Sequence, residues 1–366
     1  MSIIQKSYRR QFLMQLASSA AVIASPKALA QTKRVRLVLA LPTMSPVLAN
    51  QTSVPEALGY FAQEGIRVEP VLAGAGGTSG AAQLVATGDQ DIGSGSYSPL
   101  LSRIAEGQNL GLQYFYQQVR TFSLAMAANA DGSVKTPQDL KGKLIGVANL
   151  GSETIAMAKY VARSVGLNPD TDIRFIAIGG GAQAAQAIRS KQVDIIAAPR
   201  AQISQIESLG IPLHYLTLPT KLRDLFGPGL YTRLDYIEKN RSTVVSMGRA
   251  VAKGTLFMLT NPEAAIRLHW KAYPQQVSQS IAFDKALEIA LKTLVVQIEG
   301  LRFQPHESVT RFGEFRAESI AAVTDVFGLS AKSADVSRLF SNDLISEINS
   351  FDRDAIIQQA RSYKVS

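Results

Sequence analysis

Apolar and polar positions change period repeatedly along this chain, and the changes mark out its elements. "RVRLVLAL" (34–41) is a β-branched and leucine run that stops at Pro42, as a buried strand does. A polar loop carrying Thr43 and Ser45 follows, then helical spacing from about Pro46 to Glu64, closed by Gly65. "IRVEPVLAG" reads as a second strand, and "GAGGTSG" turns into the helix "AAQLVATG". "DIGSGSYSPLLSRIAEG" gives a third strand, a glycine-serine loop and another helix.

The same order then recurs: strand "KLIGVA" (143–148), loop "NLGSET", a helix from about Thr154 to Val165, strand "IRFIAI", glycines 179 to 181, helix "AQAAQAIRS" and strand "VDIIAA" ending in Pro199-Arg200. A shift of 103 positions sets Gly76 on Gly179, Gly77 on Gly180, Ala81 on Ala184, Ala82 on Ala185 and Asp91 on Asp194. Strands alternating with helices at short spacing predict an α/β fold of mainly parallel sheets with helices on both faces. Two such units predict two lobes.

The extended stretch Gly111 to Asn129 leads out of the first lobe, and the Pro/Gly-rich stretch Pro219 to Gly229 leads back. We therefore assign residues 31–123 to the first part of lobe 1, 124–218 to lobe 2, and 219–277 to the return crossing and the completion of lobe 1. Residues 278–366 form a helical C-terminal extension packed on lobe 1.

Composition narrows the class. The 366 residues are 46% hydrophobic and 18% charged, ordinary for a globular protein. Residues 1–30 have a basic start, an apolar stretch from Phe12 to Ala24 and the ending Ala28-Leu29-Ala30, the marks of an export signal. Arg9-Arg10 gives it a twin-arginine-like cast, with a Sec signal as the alternative. Its removal takes Lys6, Arg9, Arg10 and Lys27 from the formal +9 and leaves +5. No basic stripe fits a phosphate backbone, which argues against nucleic acid. There is no cysteine, so disulfides, thiolate chemistry and a lipid-modified cysteine are excluded. The expected product is soluble, periplasmic and monomeric.

Open α/β sheets bind ligands beyond the carboxyl ends of their strands. Both glycine turns stand at such ends and open helices, so their backbone can approach a ligand while the first helical N–H groups face it. The ligand-binding candidates are Ser45, Thr78 and Ser79, Ser96 and Tyr97, Gly151, Ser152 and Thr154 of "NLGSET", Gly180 and Gly181, and Arg200. Tyr97 would stack on a flat ligand and Arg200 would pair with an anion. Each has a plain structural alternative: Ser152 caps a helix, Tyr97 packs in a loop, Arg200 is solvated. Tyr231 is a weaker candidate, and Tyr114, Phe115 and Tyr116 would suit a heterocycle.

"DLKGKLIGVANLGSETIAMAKYVARSVGLNP", "GGGAQAAQAIRSKQVDIIAAP" and "EALGYFAQEGIRVEPVLAGAGGTSGAAQLVATGDQDIG" resemble the substrate-binding proteins of ABC importers for sulfonates, taurine, nitrate and thiamine-type pyrimidines. The resemblance spans roughly Val35 to Asn261. It implies the type II periplasmic-binding-protein fold, a ligand held between lobes that close by a hinge, and permease and ATPase partners. The expected ligand is a small organic anion, sulfonate or carboxylate; a pyrimidine-like heterocycle is the alternative, and a periplasmic sensor is an alternative role.

Enzyme readings find little support. His214, His269 and His306 are isolated, with no metal-ligand spacing, and Gly-x-Ser-x-Gly is absent. "GAGGTSG" has Ser79 where a dinucleotide turn needs its third glycine. The pyrimidine-forming thiamine enzymes of fungi share the resemblance, but they depend on a cysteine-rich segment that this chain lacks. No catalytic residue, metal or cofactor is expected.

Overall fold

The computed structural model describes residues 32–121, 124–152, 154–278, 280–303 and 310–364. The export signal expected over residues 1–30, Glu153 and His306 lie outside them.

Among the described residues, ten strands form two five-stranded sheets. The first has the order β2-β1-β3-β10-β4, from β1 (Lys33–Leu39), β2 (Ile66–Leu72), β3 (Ile92–Gly95), β4 (Leu112–Gln117) and β10 (Gly229–Arg233). The second has the order β7-β6-β8-β5-β9, from β5 (Leu124–Asn129), β6 (Lys143–Val147), β7 (Ile173–Ala177), β8 (Ile195–Pro199) and β9 (Leu213–Tyr215). In each sheet the three strands read as a repeat run parallel, with β1 in register on β2 from Lys33↔Ile66 to Leu39↔Leu72.

Four of the five strands in each sheet point the same way and one runs against them, and the chain path explains the exception. Strands β5 and β10 each arrive from the opposite half through a crossing, enter at the carboxyl end of the parallel strands, and so run antiparallel to β8 and β3.

The repeated aspartate has one structural job in both halves. Asp91 Oδ2 accepts from the Arg36 amide at 2.8 Å while its own amide donates to Arg36 O. Asp194 Oδ2 accepts from the Leu144 amide at 2.9 Å while its amide donates to Leu144 O. Each carboxylate satisfies a strand amide that the ladder leaves open.

The helical spacing between Pro46 and Glu64 is realised in three pieces: a 3-10 turn (Pro46–Gln51), α1 (Ser53–Ala57) and α2 (Tyr60–Gln63). Thr52 (φ −131°, ψ −93°) and left-handed Gly59 (φ 72°) interrupt it. The paired helices of the repeat are α3 (Gly77–Ala86) and α6 (Ala182–Arg189). Around them lie α4 (Ser98–Ala105), α5 (Thr154–Ser164) and α7 (Arg200–Glu207). The long α8 (Leu234–Thr260) buries Met247, Val251 and Phe257 in a core shared with Leu37 and Leu39 of β1. It ends at Asn261, whose side chain accepts from the Ala264 amide at 3.0 Å and caps α9 (Pro262–Ala272).

The C-terminal segment contains α10 (Phe283–Leu301), α11 (Ala317–Val326), α12 (Ser333–Arg338), α13 (Ile345–Ile348) and α14 (Arg353–Ser362). It covers the outer edge of β4, where the Tyr114 amide donates to Leu339 O at 2.7 Å and the Gln117 amide to Gly313 O at 2.8 Å. Phe315 and Phe340 join Phe226 of the return crossing and Tyr97 in one aromatic cluster, with ring centroids 4.8 to 5.7 Å apart. The sequence places this segment on the first lobe. Helix α10 reaches further, packing on α9 and the Pro46–Gln51 turn of the first half and also on α7 of the second.

Candidate functional site

The carboxyl ends of β1, β3 and β8 open onto one cleft of about 550 Å3, within the size range of small-molecule sites. From the first half come the chain after β1, including Thr43 and Ser45, then Thr78 at the start of α3, and Ser94 to Ser96 at the end of β3. The second half contributes Gly180 and Gly181, Pro199, and Gln202 and Gln205 on α7. Gln118 and Pro228 stand on the two crossings, and Trp270 and one face of α10 complete the lining.

Two glycines make the turns into α3 and α6. Gly77 has φ 51°, ψ −143° and Gly181 has φ 56°, ψ −125°, a region that side chains bearing a Cβ avoid. These partners are 104 residues apart, whereas the buried faces of the two helices, Ala81, Ala82 and Val85 against Ala184, Ala185 and Ile188, keep the 103-residue shift. The second turn thus sets its left-handed glycine one place closer to its helix.

Of the residues singled out from sequence, Ser45, Thr78, Ser96, Gly180 and Gly181 line the cleft together. Thr78 and Ser96 are buried, and Ser96 Oγ accepts from the Ser98 amide at 3.2 Å. The others stand elsewhere. Tyr97 is 4% exposed and donates its hydroxyl to Phe226 O at 2.8 Å within the aromatic cluster. Arg200 is exposed at the first position of α7, and its guanidinium lies over the Tyr215 ring at 4.6 Å. Ser152 and Thr154 bond each other through their hydroxyls at 2.9 Å, and the Thr154 amide donates to Ser152 Oγ at 3.4 Å, so this loop caps α5. Ser79 is exposed, and a Cβ on Gly151 would stand 3.0 Å from Gly76 O and 3.5 Å from Ser79 Oγ. "NLGSET" therefore abuts the first glycine turn. Tyr231, Tyr114, Phe115 and Tyr116 are fully buried core residues.

Sequence reading passed over the glutamines at 51, 118, 202, 205, 276 and 297, and Trp270, the chain's only tryptophan. Isolated amides carry no spacing signal, and α10 reads as an ordinary amphipathic helix. Among the described residues the lining includes no Asp, Glu, Lys, Arg or His. The two described histidines serve elsewhere. His214 Nε2 lies 2.8 Å from Lys135 O, and buried His269 pairs its Nδ1 with Ser53 Oγ at 3.0 Å, its pKa pushed down to about 4 by desolvation.

The family model described as NMT1/THI5 like matches residues 52–265. The chain belongs to the NMT1/THI5-like family. Its match takes in both glycine turns and most of both sheets of this NMT1/THI5-like chain, but not α10. A riboflavin-binding protein, RibY, of Chloroflexus aurantiacus is 25% identical over 341 residues, 89% of this chain and 91% of that protein. A solved protein of Bordetella bronchiseptica RB50 superposes with a TM-score of 0.68 at 22% identity, covering 87% of this chain and 98% of the other. The alkanesulfonate-binding protein SsuA of Xanthomonas axonopodis pv. citri, solved with MOPS, gives 0.59 at 16% identity over 86% and 97%. The NMT1/THI5-like chain thus has the two-lobed fold of periplasmic ABC-type substrate-binding proteins.

Proposed function

We propose that this chain is the exported, non-enzymatic solute-binding component of an ABC-type importer, and that its cleft takes an uncharged, planar, heteroatom-rich ligand of the flavin or pyrimidine kind. The observation that carries the reading is the lining itself: among the described residues, six glutamines, several hydroxyls, one indole and an apolar remainder, with no Asp, Glu, Lys, Arg or His. An amide offers a donor and an acceptor from one group, which matches the edge of a heterocycle. Among the described residues the lining sets no histidine or carboxylate beside its hydroxyls to act as a general base. The riboflavin-binding relative supports the same class. Among the described residues no helix is long and apolar enough to cross a membrane, in keeping with a chain carried across by its leader.

One observation favours the organic-anion reading. Helices α3 and α6 both begin at the cleft, and helix N-termini attract negative charge without a cation.

The test is a fluorescence titration of Trp270, which reports on the cleft alone because no other indole is present. Riboflavin, a free pyrimidine and an alkanesulfonate are the probes. Saturable quenching by the first or second supports the heterocycle; a response to the sulfonate alone gives the site to an anion.

A further inference from the structure

Helix α10 serves two masters. One stripe, with Leu287, Leu294, Ile298 and Leu301, is buried in the core of the first half. A second stripe, Ile289, Thr293 and Gln297 at four-residue spacing, is half-buried and lines the cleft. Helix α10 also packs against α7, which presents Gln202 and Gln205 to the same cleft. The two helices are rooted in separate cores: α7 sends Ile203 and Ile206 into the core of the second half, and none of its residues joins that of α10.

The polar groups on these facing helices are uncommitted. The side-chain amides of Gln202, Gln205 and Gln297 make no hydrogen bond to any described residue. Thr293 donates its hydroxyl to Ile289 O at 3.2 Å, which leaves the oxygen lone pairs as acceptors. Gln202 and Gln297 are half-buried and Gln205 is exposed, so these free amides are open to a ligand that brings complementary donors and acceptors in place of water.

We propose that Thr293 and Gln297 are specificity-determining residues of the ligand site, reading the polar edge of the ligand opposite Gln202 and Gln205. This rests on the reading of the cleft as a site for uncharged heterocycles, and it names the edge: one with alternating carbonyl and N–H groups, as in a cyclic imide or ureide. Helix α10 lies outside residues 52–265, so this wall is not part of what the family model describes.

The experiment compares the wild-type chain with a Thr293→Val/Gln297→Leu variant, whose replacements keep volume and remove the polar atoms. Trp270 fluorescence gives the Kd for two probes, riboflavin and its N3-methyl derivative, in which the imide N–H is replaced. The expected result is that the wild type prefers riboflavin and that the variant binds riboflavin about tenfold more weakly or worse, with the preference gone. Unchanged riboflavin affinity in the variant overturns the assignment while leaving the cleft reading intact. Equal weakening for both probes overturns it too, because a purely structural wall would do that. If the wild type binds neither probe, the cleft reading falls and takes the assignment with it.

Discussion

Gly77, opening α3 in the first half, and Asn149, following β6 in the second, lie so close that a Cβ on Gly77 would stand 2.6 Å from Asn149 Oδ1. The glycine is needed twice, for this approach and for its φ of 51°. Gly77→Ala is therefore expected to cost about 1–2 kcal/mol of backbone strain and to displace the Asn149 side chain. On the heterocycle reading proposed above, riboflavin affinity should fall about tenfold. Adding Asn149→Gly should recover part of the affinity but little of the stability, as read by Trp270 titration and urea unfolding. No recovery would mean that Asn149 is not what Gly77 must clear.

Glu64 holds two cations, with Oε2 2.8 Å from Arg249 Nη1 and Oε1 2.7 Å from Lys253 Nζ, and its side chain is 8% exposed. Glu64→Ala leaves the largely buried Lys253 ammonium without its carboxylate, and a loss of about 3 kcal/mol is expected in urea unfolding. A loss below about 1 kcal/mol would show that water reaches these groups freely.

His269 gives the stability a pH dependence. Its folded pKa of about 4 lies below the unfolded value near 6.5, so the unfolded chain binds the extra proton between them. The neutral-histidine contribution is whole above about pH 6.5 and is lost as the pH falls towards 4, about 3 kcal/mol in all. His269→Gln should be less stable at pH 7, having lost the burial of the ring, but should unfold with a flatter pH profile over that window. Parallel profiles for the two proteins would refute this account.

Arg200→Ala should leave riboflavin affinity within about twofold, because the guanidinium rests on Tyr215 rather than lining the cleft. A selective loss for an alkanesulfonate would return this residue to the site and the site to an anion.

The sequence carries the plan of the fold because the plan rests on local rules. The glycine turns, the buried strands and the Asp91/Asp194 pair are visible as a repeat, and both aspartates prove to close strand amides in the same way. The strand directions of β5 and β10 are not local. They follow from where the chain crosses, so the mixed sheets emerge only in three dimensions. Of the residues read from strand ends and glycine turns, Ser45, Thr78, Ser96, Gly180 and Gly181 line the candidate cleft. Tyr97 and Arg200 also stand at strand ends, but orientation separates them, one turned into an aromatic core and the other onto a neighbouring ring. Gln297 and Trp270 reach the cleft through packing of distant helices, which no periodicity reports.

The position of β10 has a consequence in time. It lies between β3 and β4, and β4 pairs with no other strand of the first sheet. A chain growing or threading from its N-terminus therefore presents β4 with its ladder unmet until residue 229 has appeared. The second sheet, drawn wholly from residues 124–215, is already complete by then. The later half of the repeat is thus the one able to finish first, and the opening strands must wait with exposed edges for a segment more than a hundred residues away.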